Sequence, residues 1–167
     1  MPFLYVTIFI VALDQISKLI IQARMAPLQS FPLIGGWFSL TYVANYGAAF
    51  GIMQSQTLLL IGITVGVVAL VWFSRRQVWH YPRLLQVGLA VALGGAVGNL
   101  CDRVRLGYVV DFFDFHIWPV FNIADIAIIT GVGLIILVML RKDVKPQPRP
   151  TGNRVGGIDS TATGEDK

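Results

Sequence analysis

Two aspartates stand out because each lies in a short apolar segment of a strongly hydrophobic chain. Asp111 lies within the segment 109–113, and Asp125 ends the segment 121–125. A carboxylate placed at or near lipid is costly, so an acid in such a position is by default part of a functional site. These two residues are therefore the first candidates for chemistry.

The chemistry open to this pair depends on the distance between the two carboxyl groups. Two carboxyl groups held close together share one proton, and the pKa of one of them rises. The ionised member can then take a proton from water while the protonated member polarises a carbonyl, as in aspartic proteases. The competing interpretation is that each aspartate anchors a helix end, where the positive end of the helix dipole favours Asp125.

Composition indicates the environment in which these acids lie. Of the 167 residues, 55% are hydrophobic and 13% are charged, a balance too apolar for an ordinary soluble domain. A helix needs about 20 mostly apolar residues to cross a bilayer. Four stretches qualify, namely 3–21, 57–73, 84–101 and 120–140. The sequence thus predicts an all-α membrane protein with four transmembrane helices.

The basic residues predict the orientation of these helices. Arg75, Arg76 and Arg83 lie in the connection between the second and third spans, and Arg141 and Lys142 directly follow the fourth. Because cytoplasmic loops are rich in Lys and Arg, we expect both termini to be cytoplasmic. The connections 22–56 and 102–119 then share the outer side. The net charge of +4 reflects this topology and does not indicate nucleic-acid binding.

Two regions mark the limits of the predicted domain. The first span lacks a basic leading region and is interrupted by Asp14 and Lys18, so a cleaved signal peptide is not predicted. After the fourth span the chain becomes rich in Pro, Gly, Ser and Thr. We therefore predict a four-helix membrane domain over residues 1–143 and a disordered cytoplasmic tail over residues 144–167. The single cysteine, Cys101, excludes an internal disulfide.

The long first outer connection is itself apolar. Aromatic and β-branched residues follow the Gly35-Gly36 break, which predicts a small extracytoplasmic β-element between helices 1 and 2 within residues 31–46. Its aromatic side chains fit a position at the membrane surface, although a loop folded against the helices is an equal alternative. The following segment, 45–50, suits recognition of an extended peptide backbone, and a simple turn before the second span is the plainer account.

The ends of the third and fourth spans that face outward carry further polar residues. Gly94 and Gly98 form a small-xxx-small pattern that permits close helix contact. Asn99 and Asp102 share a helical face. The favoured interpretation is that they form, with Arg103, a structural cluster of hydrogen bonds and ion pairs at the helix end, because buried ions are usually paired. In the first span, Asp14 and Lys18 stand one turn apart, and a structural ion pair is the favoured interpretation.

The predicted topology brings the two aspartates together. Pro119 resets the backbone before the fourth span, and Asn122 and Asp125 then share one helical face. Since the third span exits and the fourth enters on the outer side, Asp111 and Asp125 can meet although fourteen positions separate them. The sequence contains no His-Glu-x-x-His metal motif and no Gly-x-Ser-x-Gly elbow. No metal and no other cofactor is predicted.

These segments, in this order, resemble the lipoprotein signal peptidases, or signal peptidases II, of bacteria. The resemblance covers nearly all of residues 5–140 and rests on the segments 14–18, 45–50, 94–103, 109–112 and 121–125. It implies an aspartic endopeptidase that removes the signal peptide from prolipoproteins, just before a cysteine that carries a diacylglyceryl group. The β-cradle of the family corresponds to residues 31–46, whereas the long Pro-rich tail departs from the family pattern.

The resemblance also implies a set of site residues. Asp111 and Asp125 match the catalytic pair. Nine further positions match residues that support this pair or contact substrate, namely Asp14, Lys18, Asn45, Gly47, Asn99, Asp102, Arg103, Asn122 and Ala124. We predict a monomer in the bacterial inner membrane with its active site on the outer side. Its expected partners are diacylglyceryl-modified prolipoproteins and membrane lipid, without nucleic acid.

Two functions of other classes fit the apolar composition. A proton-coupled transporter would also carry acids in its spans, but such acids normally lie near the membrane midplane, often within internal repeats. A non-enzymatic assembly factor would need the helices and glycines but no carboxylate pair. Replacing Asp111 by Asn separates the three, since it would abolish cleavage, uncouple transport or change little.

Overall fold

The computed structural model describes residues 2–47, 57–78 and 80–141. In these ranges the chain forms four helices and three strands. The helices are α1 Pro2–Arg24, α2 Thr57–Val78, α3 Arg83–Leu106 and α4 Ile123–Met139. The strands are β1 Ser30–Ile34, β2 Phe38–Asn45 and β3 Val109–Asp114. The tail predicted over 144–167 lies outside the described residues.

The helices carry most of their apolar side chains on the outside of the protein. Three of them, over Phe3–Arg24, Thr57–Ser74 and Arg83–Leu106, are long and apolar enough to cross a membrane. Helix α4 is equally apolar but has 17 residues. Exposed apolar helix surface of this extent is stable in lipid and not in water. The chain is an integral membrane protein.

The small sheet has the order β1-β2-β3, with both pairs antiparallel. Strands β1 and β2 lie where a β-element is expected, between α1 and α2. The third strand was not predicted, because its run of β-branched and aromatic residues is too short to be assigned by periodicity. It comes from the connection between α3 and α4 and places Asp111 opposite Val43 of β2.

The sheet packs on one end of the helix bundle. Ile21 and Met25, at the C-terminal end of α1, form a buried cluster with Tyr42 of β2 and with Val110 and Phe112 of β3. One face of β3 thus contacts α1. Because side chains alternate across a strand, Asp111 points to the opposite face. The sheet therefore fixes both the position and the direction of that carboxylate.

Helix α3 is the centre of the bundle and packs against the other three helices. Glycines of α3 allow its close approach to α1 and α4. Gly94 contacts Thr7 and Ile10 of α1, and Gly95 contacts the backbone of α4 at Ala124. Gly98 lies against Asp14, whose Oδ2 atom would be 2.5 Å from an added Cβ. The small-xxx-small pattern of Gly94 and Gly98 thus marks a close helix contact, as predicted.

Helix α4 begins at Ile123, later than the predicted start of the span at residue 120. The difference arises because Phe121 pairs with Phe113 across an isolated antiparallel bridge. The Phe121 carbonyl accepts hydrogen bonds from the backbone N–H groups of Phe112 and Phe113. This bridge holds the residue before the helix cap beside β3, so that the first turn of α4 lies next to Asp111.

Candidate active site

Both predicted aspartates line one cavity of about 640 Å³. The cavity lies between the end of β2, the strand β3, the last turns of α3 and the start of α4. Its polar lining comes from Asn45, Asn99 and Arg103 in addition to the two aspartates. The rest of the wall is apolar and includes Trp118, Phe121, Ile126 and Ile129. The arrangement combines few polar groups with a large apolar surface, as ligand sites usually do.

Asp111 is almost completely buried, with 2% of its surface exposed. Its Oδ2 atom accepts a hydrogen bond from Asn45 Nδ2 at 2.8 Å, and its Oδ1 atom accepts one from Asn122 Nδ2 at 2.6 Å. Burial and the nearby charge of Asp125 raise the pKa of Asp111 to about 7, although the two amide donors oppose this rise. A carboxyl group of this kind can carry a proton at neutral pH.

Asp125 lies in the first turn of α4 and is half-buried. Its Oδ1 atom accepts a hydrogen bond from Asn99 Nδ2 at 2.8 Å, and its Oδ2 atom accepts one from the backbone N–H of Asn122 at 3.1 Å. The positive end of the helix dipole also favours a carboxylate at this position. N–H groups therefore hold both oxygens of Asp125, as they do those of Asp111.

Asn122 connects the two carboxylates. Its side-chain oxygen accepts the backbone N–H of Asp125 at 3.0 Å, which completes a capping box at the start of α4. Its side-chain nitrogen donates to Asp111. The competing interpretation, that Asp125 caps a helix, is therefore correct in geometry. It does not exclude a chemical role, because the cap places Asp125 in the same cavity as Asp111.

A buried ionic network lies behind the cavity. Lys18 Nζ is 2.9 Å from Asp14 Oδ2 and 2.9 Å from Asp102 Oδ2, and it donates to Asn99 Oδ1 at 2.8 Å. The predicted pair of Asp14 and Lys18 is therefore confirmed. Asp102 is a second partner, which also accepts the backbone N–H of Val110 at 3.1 Å. The network links α1, α3 and β3.

The predicted cluster of Asn99, Asp102 and Arg103 is divided between two environments. Asp102 faces α1 and pairs with Lys18, whereas Arg103 lies in the cavity wall. The cluster was expected because Asn99 and Asp102 share a helical face and buried ions are usually paired. Arg103 is one position from Asp102, and side chains one position apart on a helix point in different directions. Arg103 donates long hydrogen bonds of 3.4 Å to the Asn99 and Gly47 carbonyls.

The two remaining predicted residues hold backbone in place. Gly47 donates its N–H to Asn45 Oδ1 at 3.0 Å and lines the cavity. Ala124 is fully buried and donates its N–H to Asp14 Oδ1 at 2.9 Å. Asn45, Gly47, Asn99 and Arg103 thus share the cavity with the two aspartates. The others lie behind it, namely Asp14, Lys18, Asp102, Asn122 and Ala124.

Sequence reasoning missed two features of the site. Gln15 donates to Asp102 Oδ1 at 2.9 Å and to the Gly98 carbonyl at 3.1 Å, which ties α1 to α3. Its position next to Asp14 was the available signal. The apolar wall with Trp118 and Ile129 carried no signal, because cavity-facing and lipid-facing apolar residues look alike in sequence. Within the described ranges, no three His, Cys, Asp or Glu side chains are grouped to hold a metal.

Comparison with known proteins places this chain in a family. The sequence model of Signal peptidase (SPase) II matches residues 6–141. The lipoprotein signal peptidase of Moorella thermoacetica is 49% identical over 132 residues, which cover 79% of this chain and 88% of the relative. That of Halothermothrix orenii is 40% identical over 142 residues, which cover 83% and 94%.

The structural comparison agrees with the sequence comparison. A solved bacterial membrane enzyme has a TM-score of 0.79 and 34% identity, with coverage of 83% of this chain and 87% of that chain. The fold is that of a bacterial membrane enzyme, and the family is one of proteases. The chain belongs to the signal peptidase II family and acts in lipoprotein processing. The resemblance stated from the five sequence segments is confirmed.

Proposed function

We propose that Asp111 and Asp125 are the catalytic dyad with which this chain removes signal peptides from prolipoproteins. The observation that carries the proposal is that both carboxylates line one cavity and each has N–H donors on both oxygens. Such donors orient a carboxylate without neutralising it. The apolar wall of the cavity suits a substrate that arrives from lipid.

In this mechanism Asp111 carries the shared proton and Asp125 is ionised. Asp125 takes a proton from water as the water oxygen attacks the scissile carbonyl, while Asp111 donates its proton to the carbonyl oxygen. Asp125 then passes its proton to the leaving nitrogen as the C–N bond breaks, and Asp111 recovers its proton from the tetrahedral intermediate. Each step conserves protons, and both carboxyl groups return to their starting states.

The remaining cavity residues fit substrate binding. Arg103 has five N–H donors and uses two of them in long bonds to carbonyl groups. It can therefore bind a substrate carbonyl, and Asn45 and Gly47 lie where an extended peptide would pass. Cleavage would occur before a diacylglyceryl-modified cysteine, with the acyl chains in lipid beside Ile126 and Ile129 of α4. The strands β1 and β2 would form the substrate cradle.

The proposed topology has four transmembrane helices with both termini cytoplasmic. Helix α4 measures about 26 Å at 1.5 Å per residue, close to the hydrocarbon thickness of about 30 Å. The sheet and the cavity would lie on the outer side of a bacterial inner membrane, opposite the basic connection between α2 and α3. We expect a monomer without cofactor, because the dyad and its donors all come from one chain.

Direct cleavage tests the proposed function. The full-length protein in lipid is incubated with a diacylglyceryl-modified prolipoprotein, and the products are identified by mass. The expected products are a free signal peptide and a protein that begins with the lipidated cysteine. Intact substrate, or cleavage at another bond, would contradict the proposal. The same assay separates it from transport or assembly, which form no cleaved product.

The pH dependence of the reaction tests the assignment of the proton to Asp111. Because the pKa of Asp111 is raised to about 7, this group is protonated at pH 6 and loses its proton as the pH rises. The value of kcat/KM, which reports the free enzyme, should therefore fall as the pH passes through about 7. Constant kcat/KM between pH 6 and pH 9 would show that a neutral Asp111 is not required.

A further inference from the structure

Lys18 uses all of its hydrogen-bonding capacity inside the protein. Its side chain is 2% exposed, and its three N–H donors are matched by Asp14 Oδ2, Asp102 Oδ2 and Asn99 Oδ1. An ammonium group has three donors and no acceptor. A structural ion pair would need only the two carboxylates. The third contact, to an amide that reaches the cavity, points to a further role.

The ammonium group and the amide of Asn122, which donates to the same Asn99 oxygen at 3.1 Å, together set how the Asn99 amide is oriented. Because Lys18 can only donate, the carbonyl oxygen of Asn99 must face it, at 2.8 Å. The amide nitrogen then faces the cavity and donates to Asp125 Oδ1 at 2.8 Å. The reversed orientation would place the amide N–H₂ group against the ammonium and would turn the amide oxygen toward the Asp125 carboxylate. Both contacts would be repulsive.

The two aspartates differ in whether a cation donates to the amide groups that bind them. The donors of Asp111 are the amides of Asn45 and Asn122, whose oxygens accept the backbone N–H groups of Gly47 and Asp125. In the part of the chain that the structure describes, neither amide has a hydrogen bond from a cation. Asp125 is instead joined to a buried cation through a single amide group. A donor polarised by a cation stabilises an ionised acceptor more strongly.

We propose that Lys18 is a positioning residue for the catalytic dyad. Acting through Asn99, and with Asn122 as the second donor to the same oxygen, it aligns and polarises the N–H that Asp125 receives, which favours the ionised form of Asp125 and leaves the shared proton on Asp111. This inference rests on the proposed function of Asp111 and Asp125. It assigns Lys18 an effect on the chemical step in addition to its ion pair with Asp14.

A double-mutant cycle between Lys18 and Asn99 tests this coupling. Asn99→Leu removes the donor to Asp125 and should lower kcat by about 10²-fold, the usual effect of losing one positioned donor. Lys18→Met should lower kcat by about tenfold or more through the same donor. The double variant should be within about threefold of Asn99→Leu, because residues that act as a unit do not add.

The pH profile provides a readout that a structural role would not change. With Lys18→Met the Asn99 oxygen keeps only the Asn122 amide as its donor, and the N–H that Asp125 receives is no longer polarised by a cation, which weakens its stabilisation of the ionised carboxylate. The acidic limb of the kcat profile should therefore move to higher pH. If Lys18 served only helix packing, Lys18→Met would lower the melting temperature, and the acidic limb of the kcat profile of the folded enzyme would not move.

A second variant guards against misfolding. Lys18→Met leaves two buried carboxylates without a cation, which is strongly destabilising, so Asp14→Asn with Lys18→Met is made in parallel. The same shift of the acidic limb is expected. The proposal would be overturned if either folded variant had the kcat and the acidic limb of the wild-type enzyme. It would also be overturned if the fold-losses of Lys18→Met and Asn99→Leu multiplied in the double variant. Failure of both variants to accumulate would overturn it as well, because it would assign Lys18 to assembly of the helix bundle.

Asp125→Asn in the same assay separates this inference from the proposed function. If Asp125→Asn is inactive while folded Lys18→Met behaves as wild type, the dyad stands and the positioning role of Lys18 is wrong. If Asp125→Asn retains full activity, the dyad itself is wrong.

Discussion

Replacing either Asp111 or Asp125 by asparagine is expected to remove nearly all cleavage, with kcat lower by about 10²–10⁴-fold. Each asparagine keeps the size of the side chain but can neither accept nor supply the proton that the mechanism requires. The two losses should not add in the double variant, because the dyad acts as one unit. The measurement is single-turnover cleavage of a lipidated prolipoprotein by purified protein.

Asp114→Asn is the matched control for these variants. Asp114 belongs to the same strand as Asp111, but its carboxylate binds Thr41 and His116 away from the cavity. This variant should keep most of the activity. The melting temperature of Asp111→Asn is measured as well. If it equals that of the wild-type protein, the loss of activity is not caused by loss of stability. Retention of more than about a tenth of the activity by either dyad variant would contradict the assignment.

Gly95→Ala is expected to cause the largest loss of stability among single-atom changes in α3. An added Cβ would overlap the Ala124 carbonyl oxygen and lie 2.9 Å from Ile128 Cγ1. The overlapping atom is backbone, so α3 and α4 must move apart. Overpacking of this kind costs about 1–3 kcal/mol, and occasionally more. Thermal unfolding in detergent should show a clear decrease in melting temperature together with reduced cleavage, because Asp125 is one residue after Ala124.

Gly62→Ala is the control for the glycine prediction. Gly62 lies within α2, which is also an apolar helix, and beyond its chain neighbours and the nearby backbone of α2 no described atom lies within 4 Å of an added Cβ. Alanine is favoured over glycine in a helix by about 0.8–1.0 kcal/mol, so the melting temperature should stay the same or rise. Equal losses in Gly62→Ala and Gly95→Ala would show that the effect belongs to glycine in general and not to the contact between α3 and α4.

Much of this structure could be predicted because long apolar runs identify helices directly. Residues 57–73, for example, fall entirely within α2. The strand β3 was not predicted, because its six residues are too few to show a clear alternation of apolar and polar side chains. The later start of α4, at Ile123, depended on the bridge between Phe113 and Phe121. Because that bridge joins two separate segments of the chain, no local sequence pattern predicts it.

The candidate site was predictable to a similar extent. The meeting of Asp111 with Asp125 followed from the order of the spans and the membrane topology. The partner of Asp102 did not follow, because helix spacing relates residues within α3 and says nothing about Lys18 on α1. The cavity wall could not be predicted either, because the sequence does not distinguish an apolar residue that lines the cavity, such as Ile129, from one that faces only lipid.

The capping box of α4 has a consequence for how the enzyme matures. The two hydrogen bonds between Asn122 and Asp125 form as soon as the first turn of α4 is wound, and the same asparagine reaches Asp111. The proposed dyad is therefore complete only when the first turn of α4 has formed next to β3. A nascent chain that lacks α4 holds only Asp111 of the proposed dyad, which β2 and Asn45 still orient, so the proposed activity would arise only when the last helix is in place.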